Sequence, residues 1–585
     1  MKSFRPKKHR SSQNPSANGK WLKTPQFPVS INAAPSKPNT LKLIPLGGVG
    51  DVTKNMYVYE YQDDILIVDC GVGFPGDGMP GVDLVIPDIS YLRGKKDKIR
   101  GIIISHGHED HLGALPFLWP ELQAPIYTQK LTTGFIRSKF AEHNLPKDAV
   151  KECNIDTKLK LGVFDVSFYY VSHSVPDTTG IVIRTPVGTI VHQSDFKIDW
   201  TPVSSQKPDM DKISKLGQEK VKLLLIDCLR VEKLGSTKTE RGIEKTFEKI
   251  AEETTGKLLI TTTSSNISRL QQAVNVAQKF GRKVALAGRS FETNFQVARD
   301  LGYLDVPPTL MIGEDAISSM DSSKVMILIA GSQGQPESAL ARAVNGQHKF
   351  IKIQEGDSVV FSADPIPSSQ VAYYSLVNDL CRLGINVYYS DITENLHVSG
   401  HAAEEEIKLM INSIKPEFLM PIGGEFRHMS RFGKVSQGMG YDKKNIILAE
   451  DGDIYEIGQG IELTGRVDVH NVYVDGLGVG DIGHVVLRDR QLMSEEGIVI
   501  VVVPLDHRSG TINGEPDIIS RGFVFEDIAT HLLEEAKDVV RQSLEKQGRV
   551  VDWRFTRKLI EDNLEKFLYQ ATERRPLILP IVVEV

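Results

Sequence analysis

The tightest constraint on this chain is the stretch Ile102-Ile-Ile-Ser105-His106-Gly107-His108-Glu109-Asp110-His111-Leu112-Gly113. An apolar β-branched run of this kind predicts a buried strand, and the run stops abruptly at a knot of imidazoles and carboxylates. Gly107 and Gly113 mark tight backbone on either side of the knot. On extended backbone His106 and His108 point the same way. Asp110 and His111 can then turn toward a second point as a helix begins. Imidazole nitrogens with a carboxylate suit zinc or a similar borderline metal. A solvated polar cluster is the plainer alternative. Histidine is scarce here, 15 in 585 residues, and three within six positions argue for a metal site.

Other strand ends carry the same chemistry. Ile65-Leu-Ile-Val runs into Asp69 and Gly71, where the acid suits either a turn cap or a metal loop. Asp165 to Val171 reads as a strand that delivers His173, and Gly188 to Val191 reads as one that leads to Asp195. A lone histidine at a strand end is usually structural. Two further candidates in this order after His-x-His-x-Asp-His shift that balance. The combination resembles the metallo-β-lactamase superfamily, which usually holds two metals. The resemblance implies that His106, His108 and His173 hold one ion and that Asp110 and His111 hold the other. Asp195 would bridge the two, and Asp69 would support the histidines from behind.

Composition narrows the setting. With 41% hydrophobic and 25% charged residues, the chain reads as ordinary soluble protein of several domains. A net charge of −6 gives no global basic field, although a locally basic groove remains compatible with it. Cys70, Cys153, Cys228 and Cys381 lack pairing or zinc-type spacing, which predicts a reducing, cytoplasmic setting. No apolar run is long enough for a membrane span or a signal peptide. Residues 1–40 are rich in Pro, Ser, Asn and Lys, with no acid before Asp51, and predict a disordered basic arm. Such an arm is either a solvated tail or a weak attractor of RNA phosphates.

Short strands and helical patterns over 41–235 predict two packed sheets with outer helices. Residues 236–390 change rhythm. Helical periodicity at Gly242–Glu253, Ser268–Phe280 and Phe291–Leu301 alternates with apolar runs at Leu258–Thr262, Val284–Ala287 and Val325–Ile329. That is the pattern of an inserted α/β domain with a parallel sheet. Polar turns at its strand ends, including Ser265-Asn266 and Arg289-Ser290, suit phosphate contacts, and helix capping explains each as well. His397-Val398-Ser399-Gly400-His401 leads into an amphipathic helix over 403–414. Residues 451–485 read as a linker of short strands and a glycine-rich link. Residues 486–585 read as a small α+β domain with helices at His531–Gln547 and Thr556–Gln570 between strands at Gly497–Val503 and Leu577–Val583.

Several segments together resemble the ribonuclease J family, in the β-CASP branch of the superfamily. They include Pro45-Leu-Gly-Gly-Val-Gly50, His106 to His111, His173-Ser-Val-Pro-Asp177, Gly331-Ser-Gln-Gly334, His397 to His401 and Asp475-Gly-Leu-Gly-Val-Gly480. The resemblance implies an αββα sandwich split by a β-CASP insertion and resumed over 391–450, with the α+β domain at the C-terminus. It also implies 5′→3′ exonuclease action on 5′-monophosphate RNA, internal cleavage, and roles in RNA decay and in rRNA and mRNA maturation. Two divalent ions would be needed, zinc first, with manganese or magnesium as alternatives. Asp227 matches the acidic residue that orients His401, the leaving-group histidine. Ser399 and Gly400 fall where family members bind an RNA phosphate, and His397, Val398 and His401 on the same stretch are taken with them as substrate-binding. From the polar strand-end turns, Ser265, Asn266, Arg289 and Ser290 are further candidate substrate contacts. Single-stranded RNA, dimers or tetramers through the C-terminal domain, and a paralogue or degradation complex are the implied partners. The sequence departs from the family where Pro421-Ile-Gly423-Gly-Glu replaces Pro-Ile-His-Gly-Glu, so the second metal loses a ligand and is expected to be weaker, completed by water, or held by a substitute. Gln193-Ser194 and Cys228-Leu229 are further departures. A non-catalytic RNA-binding subunit and a nuclease also acting on DNA remain the rival readings.

Overall fold

The computed structural model describes residues 31–33, 37–76, 78–204, 206–366, 369–476, 478–506, 514–524, 530–547 and 553–584. The expected basic arm lies mostly outside the described residues. Its boundary at residue 40 is too late, because Ile31–Ala33 form a strand antiparallel to Ile461–Val467. Lys37 also donates its backbone N–H to Glu456 at 3.2 Å.

The chain divides into two compact units, one holding residues 26–74 and 85–472 and the other holding residues 75–84 and 473–585. In the first, a nine-stranded sheet runs in the order Ile31–Ala33, Ile461–Val467, Asp453–Ile457, Leu41–Gly47, Met56–Tyr61, Asp64–Val68, Ile99–Ile103, Ile126–Gln129, Val150–Cys153. A six-stranded sheet has the order Phe418–Ile422, Val221–Asp227, Gly188–Gln193, Thr179–Thr185, Phe164–Tyr170, Leu159–Leu161. Tyr59, Leu66 and Val68 of the first sheet share one apolar core with Phe168, Ile183, Leu223 and Leu225 of the second. Helices Met210–Leu216, Glu404–Ile414 and Phe426–Gly438 add Ile213, Met410 and Phe432 to it. Each such side chain, fully buried, contributes about 1.5–3 kcal/mol.

The stretch 451–485, expected as a linker, is corrected by this sheet. Asp453–Ile457 pair with Leu41–Gly47, and Ile461–Val467 lie between Asp453–Ile457 and the edge strand Ile31–Ala33. The two strands pair with each other as a hairpin across 458–460, and the distant strands Leu41–Gly47 and Ile31–Ala33 take that hairpin into the sheet.

The insertion has five parallel strands, ordered Lys283–Ala287, Val325–Ile329, Leu258–Thr261, Ser358–Phe361, Asn386–Tyr388. Both faces are covered, which is why Val325-Met-Ile-Leu-Ile329 is apolar at every position. One face packs Ile243, Phe247, Leu270 and Phe291, and the other packs Leu340, Tyr373 and Leu380. Leu131, Phe135 and Val175 of the sandwich join the first of these clusters.

In the second unit, strands Asp517–Arg521, Ile498–Leu505 and Leu577–Glu584 form a sheet. Val499, Val501 and Val503 pack against Val540, Leu544, Ile560 and Leu564 of helices Thr530–Gln547 and Trp553–Thr572. The strand Asp517–Arg521 and the helix His484–Glu496 were not expected from the sequence.

Candidate metal centre

Strand ends of both sheets converge on one site. Asp64–Val68 deliver Asp69, Ile99–Ile103 deliver the histidine cluster, Phe164–Tyr170 deliver His173, and Gly188–Gln193 deliver Asp195. Asp227 ends its strand, and Gly423 follows Phe418–Ile422.

Asp69 ties the loops together. Its carboxylate accepts the Ser105 backbone N–H at 2.8 Å, the Ser105 hydroxyl at 2.9 Å and the His111 Nδ1–H at 2.8 Å. These bonds leave His111 Nε2 facing the site. Gly71 is obligatory beside it, since a Cβ there would stand 1.6 Å from the Asp110 carbonyl oxygen.

The first cluster contains His106, His108, His173 and Asp195. His108 Nδ1 lies 3.1 Å from both His106 Nε2 and His173 Nε2. Asp195 Oδ2 lies 3.6 Å from His106 Nε2 and 3.7 Å from His173 Nε2. His173 donates its Nδ1–H to the Gly400 carbonyl at 2.7 Å, which fixes its tautomer. A Cβ on Gly400 would strike that ring at 2.5 Å. Burial, with the neighbouring imidazoles, lowers all three histidines below their ordinary range. Nitrogens this close are satisfied either by one N–H shared from His108 or by a single cation that all three rings ligate. A tetrahedral ion about 2.0–2.1 Å from each nitrogen separates neighbouring ligand atoms by about 3.3 Å. The residues therefore fit a divalent metal ion.

The second cluster contains Asp110, His111 and Asp195. His111 Nε2 is 3.5 Å from Asp110 Oδ2 and 3.4 Å from Asp195 Oδ2. Burial would lower His111, but the Asp195, Asp110 and Asp69 carboxylates outweigh it and raise the group well above its ordinary range. So strong a pull on positive charge also suits a cation. The remaining side of this half is Gly423, whose N–H donates to Gly48 at 2.9 Å. Its φ is +65°, and a Cβ there would find nothing nearer than Asp195 Oδ1 and Asp227 Oδ1, both at 3.8 Å. His428 does not take its place. Its Nδ1 accepts the Glu425 N–H at 3.1 Å, and its Nε2 lies 3.7 Å from Glu232.

His401 stands at a third corner. Its Nδ1 is 2.8 Å from Asp227 Oδ2, and its Nε2 is 3.9 Å from Asp195 Oδ2. Burial would lower it, yet the Asp227 and Asp195 carboxylates prevail and hold it up at about 9. The Asp227 carboxylate is fixed from its other oxygen by the Leu229 N–H at 2.9 Å. Ser399 Oγ accepts the His401 N–H at 3.2 Å, and Val398 is buried in the insertion's core. His397 Nε2 is 4.0 Å from Asp364 Oδ2, and its Nδ1 is sealed without a partner among the described residues.

The insertion's loops are more mixed. Ser265 is buried and Asn266 caps helix Ile267–Lys279 through the Arg269 N–H at 3.0 Å, so its oxygen is committed to the fold. Arg289 and Ser290 are exposed at the start of helix Arg289–Asp300. The departures at Gln193-Ser194 are accommodated, since the Tyr169 hydroxyl donates to Gln193 at 2.7 Å and the Ser194 hydroxyl to Asp69 at 3.3 Å.

Sequence reasoning missed a buried charge chain running from the metal loops into the insertion. Lys197 Nζ donates to Glu240 at 3.2 Å, and Arg269 donates to the same carboxylate at 2.6 Å. Arg269 also donates to the Ser362 and Leu396 carbonyls at 2.8 and 3.1 Å. It thereby holds the residue before His397. Nothing in the local sequence pairs these three charges.

The comparisons with known proteins agree with this architecture. The metallo-beta-lactamase superfamily model matches residues 49–197, and the Ribonuclease J beta-CASP domain model matches 255–380. The Zn-dependent metallo-hydrolase RNA specificity domain matches 384–448, and the Ribonuclease J C-terminal domain matches 485–585. Fold and site together define a hydrolase of the metallo-β-lactamase superfamily with a β-CASP insertion, dependent on divalent metal ions. The chain is 38% identical over 556 residues to ribonuclease J2 of Bacillus subtilis (strain 168), covering 94% of this chain and 100% of that protein. It is 38% identical over 553 residues to ribonuclease J 1 of Streptococcus pyogenes serotype M3, covering 94% and 98%. The chain belongs to the ribonuclease J family. A solved structure of a protein of unknown function from Enterococcus faecalis V583 covers 71% of this chain and 100% of its own, with TM-score 0.52 and 15% identity, a likeness of fold alone.

Proposed function

We propose that this protein hydrolyses RNA phosphodiesters, acting 5′→3′ from a 5′-monophosphate end and also cutting internally. The observation that carries the reading is the convergence of His106, His108, His173, Asp195, Asp110 and His111 beside the His401–Asp227 pair. Divalent cations held there, zinc first, would screen the phosphodiester's charge and bring the pKa of water toward about 7. His173 is kept in register by the Gly400 carbonyl, and His111 by Asp69. Protonated His401 faces the shared Asp195 and donates its Nε2 proton to the departing 3′ oxygen, while Asp227 fixes its tautomer and supports its positive charge. The product keeps its 5′ phosphate. His397 and Ser399, on the same loop as His401, would receive that phosphate and present the next bond.

The division of labour follows the chain: sandwich over 41–235 and 391–450 together with strands Ile31–Ala33, Asp453–Ile457 and Ile461–Val467, insertion over 236–390, and C-terminal unit for self-association. Supporting the last point, Ile519, Ile581 and Val583 lie exposed on the sheet face opposite the buried Val499 and Val501. A homodimer or tetramer is expected by light scattering. A cytoplasmic setting suits four free cysteines. No described helix is long and apolar enough to cross a membrane.

Gly423 favours a second reading, an RNA-binding subunit without its own catalysis. The test is purified protein with Zn²⁺ or Mn²⁺ on 5′-monophosphate RNA, 5′-triphosphate RNA and single-stranded DNA. Preferred mononucleotide release from 5′-monophosphate RNA is expected. Tight RNA binding without cleavage supports the subunit reading, and equal DNA cleavage supports a broader nuclease.

A further inference from the structure

Arg230 stands beside the proposed centre with its charge uncommitted. It follows Asp227 by three residues, and its backbone bridges Ala403, just beyond His401. The side chain is half-buried, and Nε is sealed from solvent with no acceptor among the described residues. The two terminal nitrogens are not among the sealed atoms. The carboxylates of Asp364, Glu406 and Asp227 act on it through space. Each of these acids is engaged elsewhere. Glu406 accepts the Ile198, Thr237 and Ala403 N–H groups at 2.8, 2.7 and 2.9 Å. Asp227 holds His401, and Asp364 accepts the Ser390 hydroxyl at 2.6 Å. By contrast, buried Arg282 donates to four backbone carbonyls, including Gly256 at 2.8 Å and Thr254 at 2.7 Å. Partial burial without an acceptor costs stability, so a cation kept this way is best explained by an anion that arrives from outside. A planar guanidinium with two open nitrogens matches a phosphodiester in two-point geometry.

We propose that Arg230 contacts a backbone phosphate of the bound single-stranded RNA next to the bond being cut, between the His401 loop and the insertion's Asp364 loop. The inference rests on the RNA reading above. The rival role is purely internal, balancing Asp227, Asp364 and Glu406. Salt dependence separates the two, because one phosphate contact on a single strand contributes about 0.7 to the slope of log affinity against log salt.

The experiment uses the full-length protein and a fluorescent, 5′-monophosphorylated, fully 2′-O-methylated phosphorothioate oligoribonucleotide that resists cleavage. Binding is titrated from low to moderate KCl for wild type, Arg230→Met and Arg230→Lys, with melting curves alongside. Arg230→Met is expected to weaken binding roughly tenfold at low salt and to flatten the slope by about 0.7, without a fall in melting temperature. Arg230→Lys should keep the slope and lose affinity severalfold, because a point charge replaces the fork. Unchanged affinity and slope in the Met variant overturn the proposal, whatever happens to melting. If that variant does not fold, Lys decides, and wild-type affinity in it overturns the two-point contact. Wild-type protein that fails to bind the oligonucleotide overturns the RNA reading together with this one. Wild-type binding with an unaltered Met slope overturns the role of Arg230 alone.

Discussion

The two halves of the metal centre share Asp195 and little else. One half offers three neutral imidazoles whose nitrogens converge, with His173 fixed from behind by a backbone carbonyl and His106 backed by the Ser105 hydroxyl at 3.0 Å. The other offers one imidazole, two carboxylates and the bare backbone of Gly423. Nitrogen-rich, preorganised cages hold borderline metals tightly, whereas an open carboxylate site leaves positions for water. Sharing one acid does not make the two sites chemically alike. On that chemistry the first half is expected to keep its ion and the second to exchange it.

His108→Ala removes the nitrogen nearest both other imidazoles, so it should empty the first half and lower RNA hydrolysis by at least about 10³-fold in single-turnover assays. His401→Gln should cost about 10²–10⁴-fold in the cleavage rate while leaving metal content intact, as judged by elemental analysis. Asp69→Asn releases His111 from its partner and should weaken metal binding about 10–100-fold, with the second half affected first. Gly423→His should bring the second half closer to the first. Histidine is among the residues that tolerate positive φ, and the space beside Asp195 is open, so the second ion should bind about tenfold tighter in a chelator competition, at about 1–3 kcal/mol of folding stability.

The smallest effect concerns the turn beneath Gly423. Asp451 accepts the Val49 N–H at 3.2 Å, next to the Gly48 carbonyl that receives the Gly423 N–H. Burial pushes its carboxyl up to about 6. The folded state therefore binds the proton more tightly than the unfolded chain, and this group's contribution improves as pH falls from about 7 to 4. Asp451→Asn should be more stable than wild type by about 1–3 kcal/mol at pH 7 in urea titrations, with the advantage vanishing near pH 4.

Much of this was legible in the sequence where the signal was local. The histidine cluster announced itself because a β-branched run ended at it, and helix Gly242–Glu253 because Ile243, Phe247 and Ile250 repeat with helical spacing. His173, Asp195, Asp227 and His401 were legible through the family resemblance, and the structure brings them to one point. Short strands after residue 450 were legible, but the place of Asp453–Ile457 and Ile461–Val467 in the sandwich was not, because the strands that take their hairpin into the sheet, Leu41–Gly47 and Ile31–Ala33, are remote in the chain. Asn266 was legible both as a helix cap and as a substrate contact, a competition that sequence alone leaves open; its Oδ1 takes the cap. Arg230 and the Lys197–Glu240–Arg269 chain were invisible, because partnership and its absence are properties of the packed surroundings.

The most direct measurement is a Zn²⁺ titration of metal-stripped protein against a chromophoric chelator, run on wild type, His108→Ala and Asp110→Asn. Two equivalents should bind to wild type, the first at least about tenfold tighter. His108→Ala should lose the tight one, and Asp110→Asn only the weak one. Two equal sites, or a tight equivalent that survives His108→Ala, would contradict the unequal pair built around Asp195.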